Sequence, residues 1–376
     1  MLYHHDSKTY EEAASDAERR ARAKMEEILR RGREKARLTM EGISEEYERR
    51  QDILAPAPAI NYRIDPAAST ASQIQAKVGN RILNLTDHAL GQALTRMGMP
   101  RVYVDRLRRI EAPWAEALLL TSMKKLTDHA VGVDRLLFRV VGDTVKGVLS
   151  SAYRRSLDAT PIIQVFMEEG LRSGMVPVDG VNTETRYHLK LLHDRLYSPA
   201  PHEVIAFGFS LTTSDYGAGA LQIQFFMMRL WCTNFAIGEN CLREIHIGRR
   251  FKPEDEAVLS QRTYDLDTET VASAVRDILS EGIDRRADSV CGLIADANEK
   301  RIDVRVALEG FRKRGVMTKE QTRTAETLFE NVTDITYLPP ERSAWRLSNV
   351  LSLMAQNQAG DKKLDLEEAA MELITG

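Results

Sequence analysis

Glu203-Val204-Ile205-Ala206-Phe207-Gly208-Phe209-Ser210-Leu211-Thr212 and Ala220-Leu221-Gln222-Ile223-Gln224-Phe225-Phe226-Met227-Met228-Arg229-Leu230 are the two stretches that decide the fold class. In an extended chain successive side chains point to opposite faces. Val204 and Ala206 therefore share one face and Phe207 and Phe209 the other, while Gln222 and Gln224 alternate with apolar neighbours. Both read as strands, with Gly217-Ala218-Gly219 as the hairpin turn between them. Upstream, 136–141 and 145–149 form a second predicted hairpin across Gly142-Asp143, 162–171 a helix and 187–192 another strand; 243–248 closes the set. Strands joined by short turns, with few helices between them, predict an antiparallel sheet rather than βαβ units.

Around this core the pattern is helical. Residues 11 to about 52 are rich in Ala, Glu, Arg and Lys, good helix formers. Between Ala17 and Arg37 there are nine basic and four acidic residues, and apolar positions (Met25, Ile28, Leu29, Ala36, Leu38) are sparse. The expectation is a solvated or coiled-coil-like arm, or a basic arm for phosphate or a partner subunit. Ala55-Pro56-Ala57-Pro58-Ala59 cannot continue a helix and predicts a linker.

Thr86 reads as the N-cap of a helix with Leu90, Ala93, Leu94 and Met97 on one face. Gly98 ends that helix and Pro100 opens the next, which is predicted to turn Tyr103, Leu107 and Ile110 inward and to leave Arg101, Arg106, Arg108 and Arg109 outward. A third helix covers 114–125. Beyond 254, helical spacing returns at 258–263, 268–281, 291–298, 302–314, 319–331 and 343–358. The predicted fold is α+β: a charged helical arm over 1–54, a linker over 55–80, an α+β core with a central antiparallel sheet over 81–250, and a helical region over 251–376.

The 52 Lys and Arg against 55 Asp and Glu give a net charge of −3, so any nucleic-acid binding must come from a local patch. The three cysteines form no CxxC, which disfavours a disulfide framework and fits a reducing compartment. No secretory leader and no apolar run of ~18 residues is recognisable, so a cytoplasmic location without membrane contact is expected.

Four segments also carry a resemblance. They are Leu85-Thr86-Asp87-His88-Ala89-Leu90-Gly91-Gln92 with Gly98-Met99-Pro100 and Tyr103; Ser151-Ala152-Tyr153-Arg154 with Leu157-Asp158; Ser214-Asp215-Tyr216-Gly217-Ala218-Gly219-Ala220-Leu221 with Arg229-Leu230-Trp231-Cys232-Thr233-Asn234; and Ser343-Ala344-Trp345-Arg346-Leu347-Ser348-Asn349-Val350, near Leu366-Glu367-Glu368-Ala369-Ala370. Their order and spacing, over roughly 85–374, resemble the phage- and plasmid-borne family built on the domain of unknown function 932. Phe235 departs from that pattern, which commonly has glycine after Cys-Thr-Asn. The resemblance implies a mobile-element setting and no particular reaction.

The chain has no P-loop, no strand-GxGxxG-helix unit, no HExxH and no nucleophile elbow. Asp194, His202 and Asp215 are the carboxylates and imidazole that could meet as a divalent-metal site, and Cys232 with His246 the one thiol–imidazole pairing to consider. Tyr153-Arg154-Arg155, an aromatic beside two cations after a strand, suits base stacking and phosphate contact. Arg249 and Arg250 are the matching candidates beyond the sheet, with Arg186, Lys190, Arg195 and Arg243 as further cations near it. No cofactor, resident metal or catalytic residue is predicted. The expectation is a non-catalytic nucleic-acid-binding protein of a mobile element, favouring single-stranded DNA and forming a homo-oligomer. The alternatives are a particle-assembly protein, a metal-dependent nucleic-acid enzyme, and duplex reading by a helix-turn-helix over 86–110.

Overall fold

The structure, a computed structural model, describes residues 10–129, 135–150, 153, 157–199, 204–229, 234–244, 261–281, 283–330, 338–339 and 341–375. The fold is α+β. It opens with α1 (Tyr10–Arg49), which is more than a solvated arm: Met25, Ala36 and Ile43 are buried along it.

The first sheet holds β1 (Arg50–Pro56), β2 (Ile60–Ile64), β3 (Ile74–Val78), β4 (Arg81–Leu85), β5 (Arg135–Val141) and β6 (Thr144–Ser150), in the order β1-β5-β6-β4-β3-β2. β1 and β2 are thus opposite edges, yet only a 3-10 turn, Ala57–Ala59, separates them in the chain. Six flat strands would put the edges about 24 Å apart, whereas four Cα steps from Pro56 to Ile60 reach at most ~14 Å. The sheet must therefore curl until β1 and β2 act as one bent strand, the first half on β5 and the second on β3. The result is a five-membered ring, (β1β2)-β3-β4-β6-β5, in which β4–β6 is parallel and the other pairs are antiparallel.

Between β4 and β5 come α2 (Asp87–Arg96), α3 (Arg101–Arg108) and α4 (Pro113–Asp128). Thr86 caps α2 as expected, its hydroxyl accepting from Ala89 N at 3.1 Å. The inward faces of the ring (Ile60, Tyr62, Ile74, Ala76, Phe138, Val140) share one apolar core with Leu90 and Leu94 of α2 and Leu119 and Met123 of α4. The region expected to be a linker, 55–80, thus supplies β2 and β3 of this barrel. Pro56 and Pro58 sit at the bend, where ladder hydrogen bonds are interrupted anyway, and the Ile60/Tyr62/Ile64 and Ile74/Ala76/Val78 alternation supplies the inner face. On α3 the buried residues are Val104 and Leu107; Tyr103 and Ile110 are exposed. The helix ends at Arg108, so Ile110 never joins its face.

The second sheet is antiparallel throughout: β7 (Met175–Asn182), β8 (Tyr187–Tyr197), β9 (Ile205–Thr213), β10 (Leu221–Arg229) and β11 (Asn234–Glu244), ordered β11-β10-β9-β8-β7. Both faces of β9 are buried. Phe207 and Phe209 join the core under α5 (Ala159–Arg172) and α6 (Gln261–Ser280), while Ala206 meets Met25 of α1 and Leu364 of the last helix. α7 (Asp284–Glu299), α8 (Val304–Lys313), α9 (Lys319–Glu330), α10 (Ala344–Ala355) and α11 (Asp361–Thr375) complete the helical side. Of the expected helix over 258–263, residues 258–260 lie outside the described residues and 261–263 form the start of α6, continuous with the helix expected over 268–281. Among the described residues no helix is long and apolar enough to cross a membrane.

Candidate nucleic-acid interface

Barrel and second sheet meet at a buried ionic junction. Arg139 of β5, with no exposed side-chain surface, donates to Asp52 of β1 (2.9 and 3.0 Å), to Asp158 at the start of α5 (2.7 Å) and to the Asp215 carbonyl (3.0 Å). Arg50 donates to Asp158 (2.7 Å) and Asp215 (2.6 Å), and the second Asp215 oxygen accepts from Ala159 N (2.7 Å). Burial works to lower Arg139, but Asp52, Asp158 and Asp215 outweigh it and hold the guanidinium firmly charged. Burial and Asp158 push the Asp215 carboxyl up to about 6, against the pull of Arg50 and Arg139. Nearby, Glu46 accepts from Lys146 (2.5 Å), Tyr216 (2.8 Å) and Tyr187 (2.9 Å). Burial works to raise Glu46, and these donors hold it below the usual carboxylate range.

Three of the four segments singled out in the sequence converge on this junction. From the first, His88 and Gln92 reach the Tyr216 carbonyl at 3.0 and 2.8 Å. From the second, the Tyr153 hydroxyl donates to Ser214 O at 3.0 Å. In the third, Ser214 Oγ accepts from Tyr216 N and Ala218 N and shapes the turn after β9. The fourth lies apart: Ser343 caps α10, and buried Arg346 donates to Phe329 O and Pro339 O. Every polar group named here is satisfied inside the protein, so the junction's role is to fix one body against the other.

The sequence-predicted contact residues fare unevenly. Tyr153 is 4% exposed, packed with Leu137 and Leu149 and covered by the Arg139 guanidinium 5.2 Å from its ring centre. Its ring offers no face to a base, and the stacking role expected for it is withdrawn. Arg154, Arg155, Arg249 and Arg250 lie outside the described residues. Lys190 is buried and donates to Glu367 at 2.5 Å, Arg195 pairs with Asp284, and Arg186 donates to Ala218 O.

The Asp194, His202 and Asp215 constellation does not assemble. Asp194 is 75% exposed and lies seven residues along β8 from Tyr187, the partner of Thr213, so it stands roughly 20 Å or more from buried Asp215. His202, like Cys232 and His246, is outside the described residues. Among the described residues no three His, Cys, Asp or Glu side chains converge as metal ligands.

The outward face of β2, β3 and β4 carries a different arrangement. Arg63 donates to Gln75, Gln75 to Asn84 (2.7 Å), and Asn84 to Asp143 in the β5–β6 turn (3.1 Å), a row of polar groups across neighbouring strands. Lys77 and Arg81 flank it, both exposed. Arg81 donates to Gln51 and Gly142 O, neither of them charged, and Lys77 has no carboxylate partner among the described residues. Ile82 adds an exposed apolar side chain. At one end stands the β2–β3 loop, residues 65–73. It is tied by Asp65 N to Gln73 O (2.9 Å) and by Arg108 of α3 to Gln73 Oε1 (3.2 Å), with Gln73 in the left-handed region. The signal missed in the sequence is the outer half of the alternation whose inner half builds the barrel.

A five-stranded ring in which a bent first strand pairs with the second and fourth, the third runs parallel to the fifth, and helices join the third to the fourth has the connectivity of an OB-type barrel. That is a likeness of topology. Comparison of the chain with known protein families, with characterised proteins and with solved structures finds no match.

Proposed function

We propose that this protein binds single-stranded nucleic acid, without catalysis, on the outer face of β2–β3–β4 between the 65–73 loop and the Gly142-Asp143 turn. The observation that carries the reading is the placement of exposed Arg63 and Lys77 on the outer side of β2 and β3, with exposed Arg81 at the start of β4 beside Gly142, around the buried Gln75–Asn84 amide pair. Exposed cations such as Lys77 and Arg81, which have no carboxylate partner among the described residues, can take phosphates, while the buried Gln75–Asn84 pair ties β3 to β4 beneath them. OB-type barrels use this same face and the loops at its ends for oligonucleotides. That analogy adds to the residues and does not replace them. The resemblance to the phage- and plasmid-borne family supplies the proposed setting, replication or recombination of a mobile element.

Fluorescence anisotropy with a labelled single-stranded DNA tests the reading. Three phosphates neutralised on a single strand predict a loss of about twentyfold in affinity between ~50 and ~200 mM salt. Absence of binding at the lower salt would contradict it.

A further inference from the structure

Six of the thirteen large apolar side chains exposed among the described residues lie between 102 and 126, so exposure concentrates on the α3–α4 hairpin. Trp114 is 59% and Tyr103 38% exposed. Trp114, Leu118, Thr121 and Lys125 recur at helical spacing and form one exposed stripe along α4; Val102 and Arg106 do the same on α3. The charge around them is lopsided. Arg106, Arg109 and Lys125 are exposed with no carboxylate partner among the described residues. The hairpin is also joined to the barrel face, because Arg108 holds Gln73 at the end of the 65–73 loop.

We propose that this hairpin is a second single-strand contact, in which Trp114 and Tyr103 stack on bases while Arg106 and Arg109 take the adjoining phosphates. This rests on the single-strand reading above and extends it. The barrel face carries exposed cations but, among the described residues, no exposed aromatic ring; the hairpin supplies the stacking surfaces such binding uses. A strand leaving the barrel past the 65–73 loop meets α3 next. The ligand class follows from the chemistry: exposed aromatic rings beside a cationic excess, in which Arg106, Arg109 and Lys125 outnumber exposed Glu111 and Glu116, suit a polyanion with flat bases.

The test uses the full chain and labelled single strands of about 8 and about 30 nucleotides, lengths that bracket one barrel's footprint. Trp114→Ala is expected to weaken binding of the longer strand about tenfold and to leave the shorter unchanged, with Trp114→Phe restoring most of the loss. Arg106→Glu with Arg109→Glu is expected to act in the same direction and to flatten the salt dependence. Because these side chains are exposed, an unchanged melting temperature checks the fold. Undiminished affinity of Trp114→Ala for the longer strand, with binding lost in Lys77→Glu/Arg81→Glu, would overturn the hairpin site and leave the barrel reading standing. Loss of wild-type binding to both lengths would remove the two together. Equal loss on duplex and single strand would assign the hairpin to duplex DNA, and a dimer dispersed by Trp114→Ala without any effect on nucleic acid would assign it to protein; either overturns the proposal.

Discussion

Arg139 donates to Asp158 at 2.7 Å, and through that contact β5 of the barrel is tied to the first turn of α5 beneath the second sheet. Arg139 also holds Asp52 through two nitrogens. Losing one member of a buried charged network strands the rest without partners. Arg139→Met is therefore expected to cost about 3–5 kcal/mol. Arg139→Lys should recover little of it, since an ammonium cannot reproduce the fork geometry. Denaturant unfolding of the two variants measures this; a change under ~1 kcal/mol would show that the junction does not couple the two bodies.

Asp215 gives the junction a pH dependence. Its carboxyl is raised to about 6 in the folded chain, against about 3.9 unfolded. A raised acid binds its proton more readily folded than unfolded, so its contribution to stability is present at low pH and is lost as pH rises through about 6. Asp215→Asn keeps an acceptor for Ala159 N and removes the titration. Its melting temperature relative to the parent is expected to be better at pH 7.5 than at pH 5. The reverse order would contradict the assignment.

The opposite sign applies where α11 docks. Burial works to raise Asp179, but Lys363 at 2.6 Å, with Lys190 and Lys35, holds it well below the carboxylate range. The stabilisation is present above about pH 4 and is lost as pH falls below it. Hydrogen-exchange protection of α11, taken relative to the intrinsic rate at each pH, should fall on acidification before that of β9, and Asp179→Asn should show the lower protection already at neutral pH. Uniform exchange across both elements would contradict a local lock.

Gly32 marks where α1 closes on β7: a Cβ there would lie 2.3 Å from Val178 Cα. Backbone cannot yield to that extent, so Gly32→Ala is expected to lift α1 locally and cost several kcal/mol, on the order of an overpacked core site. Limited proteolysis should then cut within α1 while the barrel stays intact. Unchanged resistance would contradict the close packing.

Within the second sheet β8, β9 and β10 were legible from their short apolar runs and the two glycines in the β9–β10 turn, whereas β7 and most of β11 did not read as strands. The barrel was not. Its first strand is bent at Pro56 and Pro58, residues that read as a linker when pairing partners 80 residues away are unseen. Likewise Tyr153 beside two arginines suggested a surface patch, and only the tertiary fold brings Ser214 and Arg139 around its ring. The capping of α2 by Thr86 was predictable since it is local. Which side of α3 faces in was not, because two turns of helix give too few positions to fix the buried face.

The most direct test of the central claim is the affinity for single-stranded DNA at ~50 mM salt of the parent, of Lys77→Glu/Arg81→Glu on the barrel face, and of Lys319→Glu/Arg323→Glu on α9 as a charge-matched control. Barrel-face reversal is predicted to weaken binding at least tenfold and to reduce the salt slope by about 1.4, the share of two phosphates, with the α9 variant close to the parent. Equal losses in the two variants, or none in either, would contradict the assignment of the nucleic-acid site to β2–β3–β4.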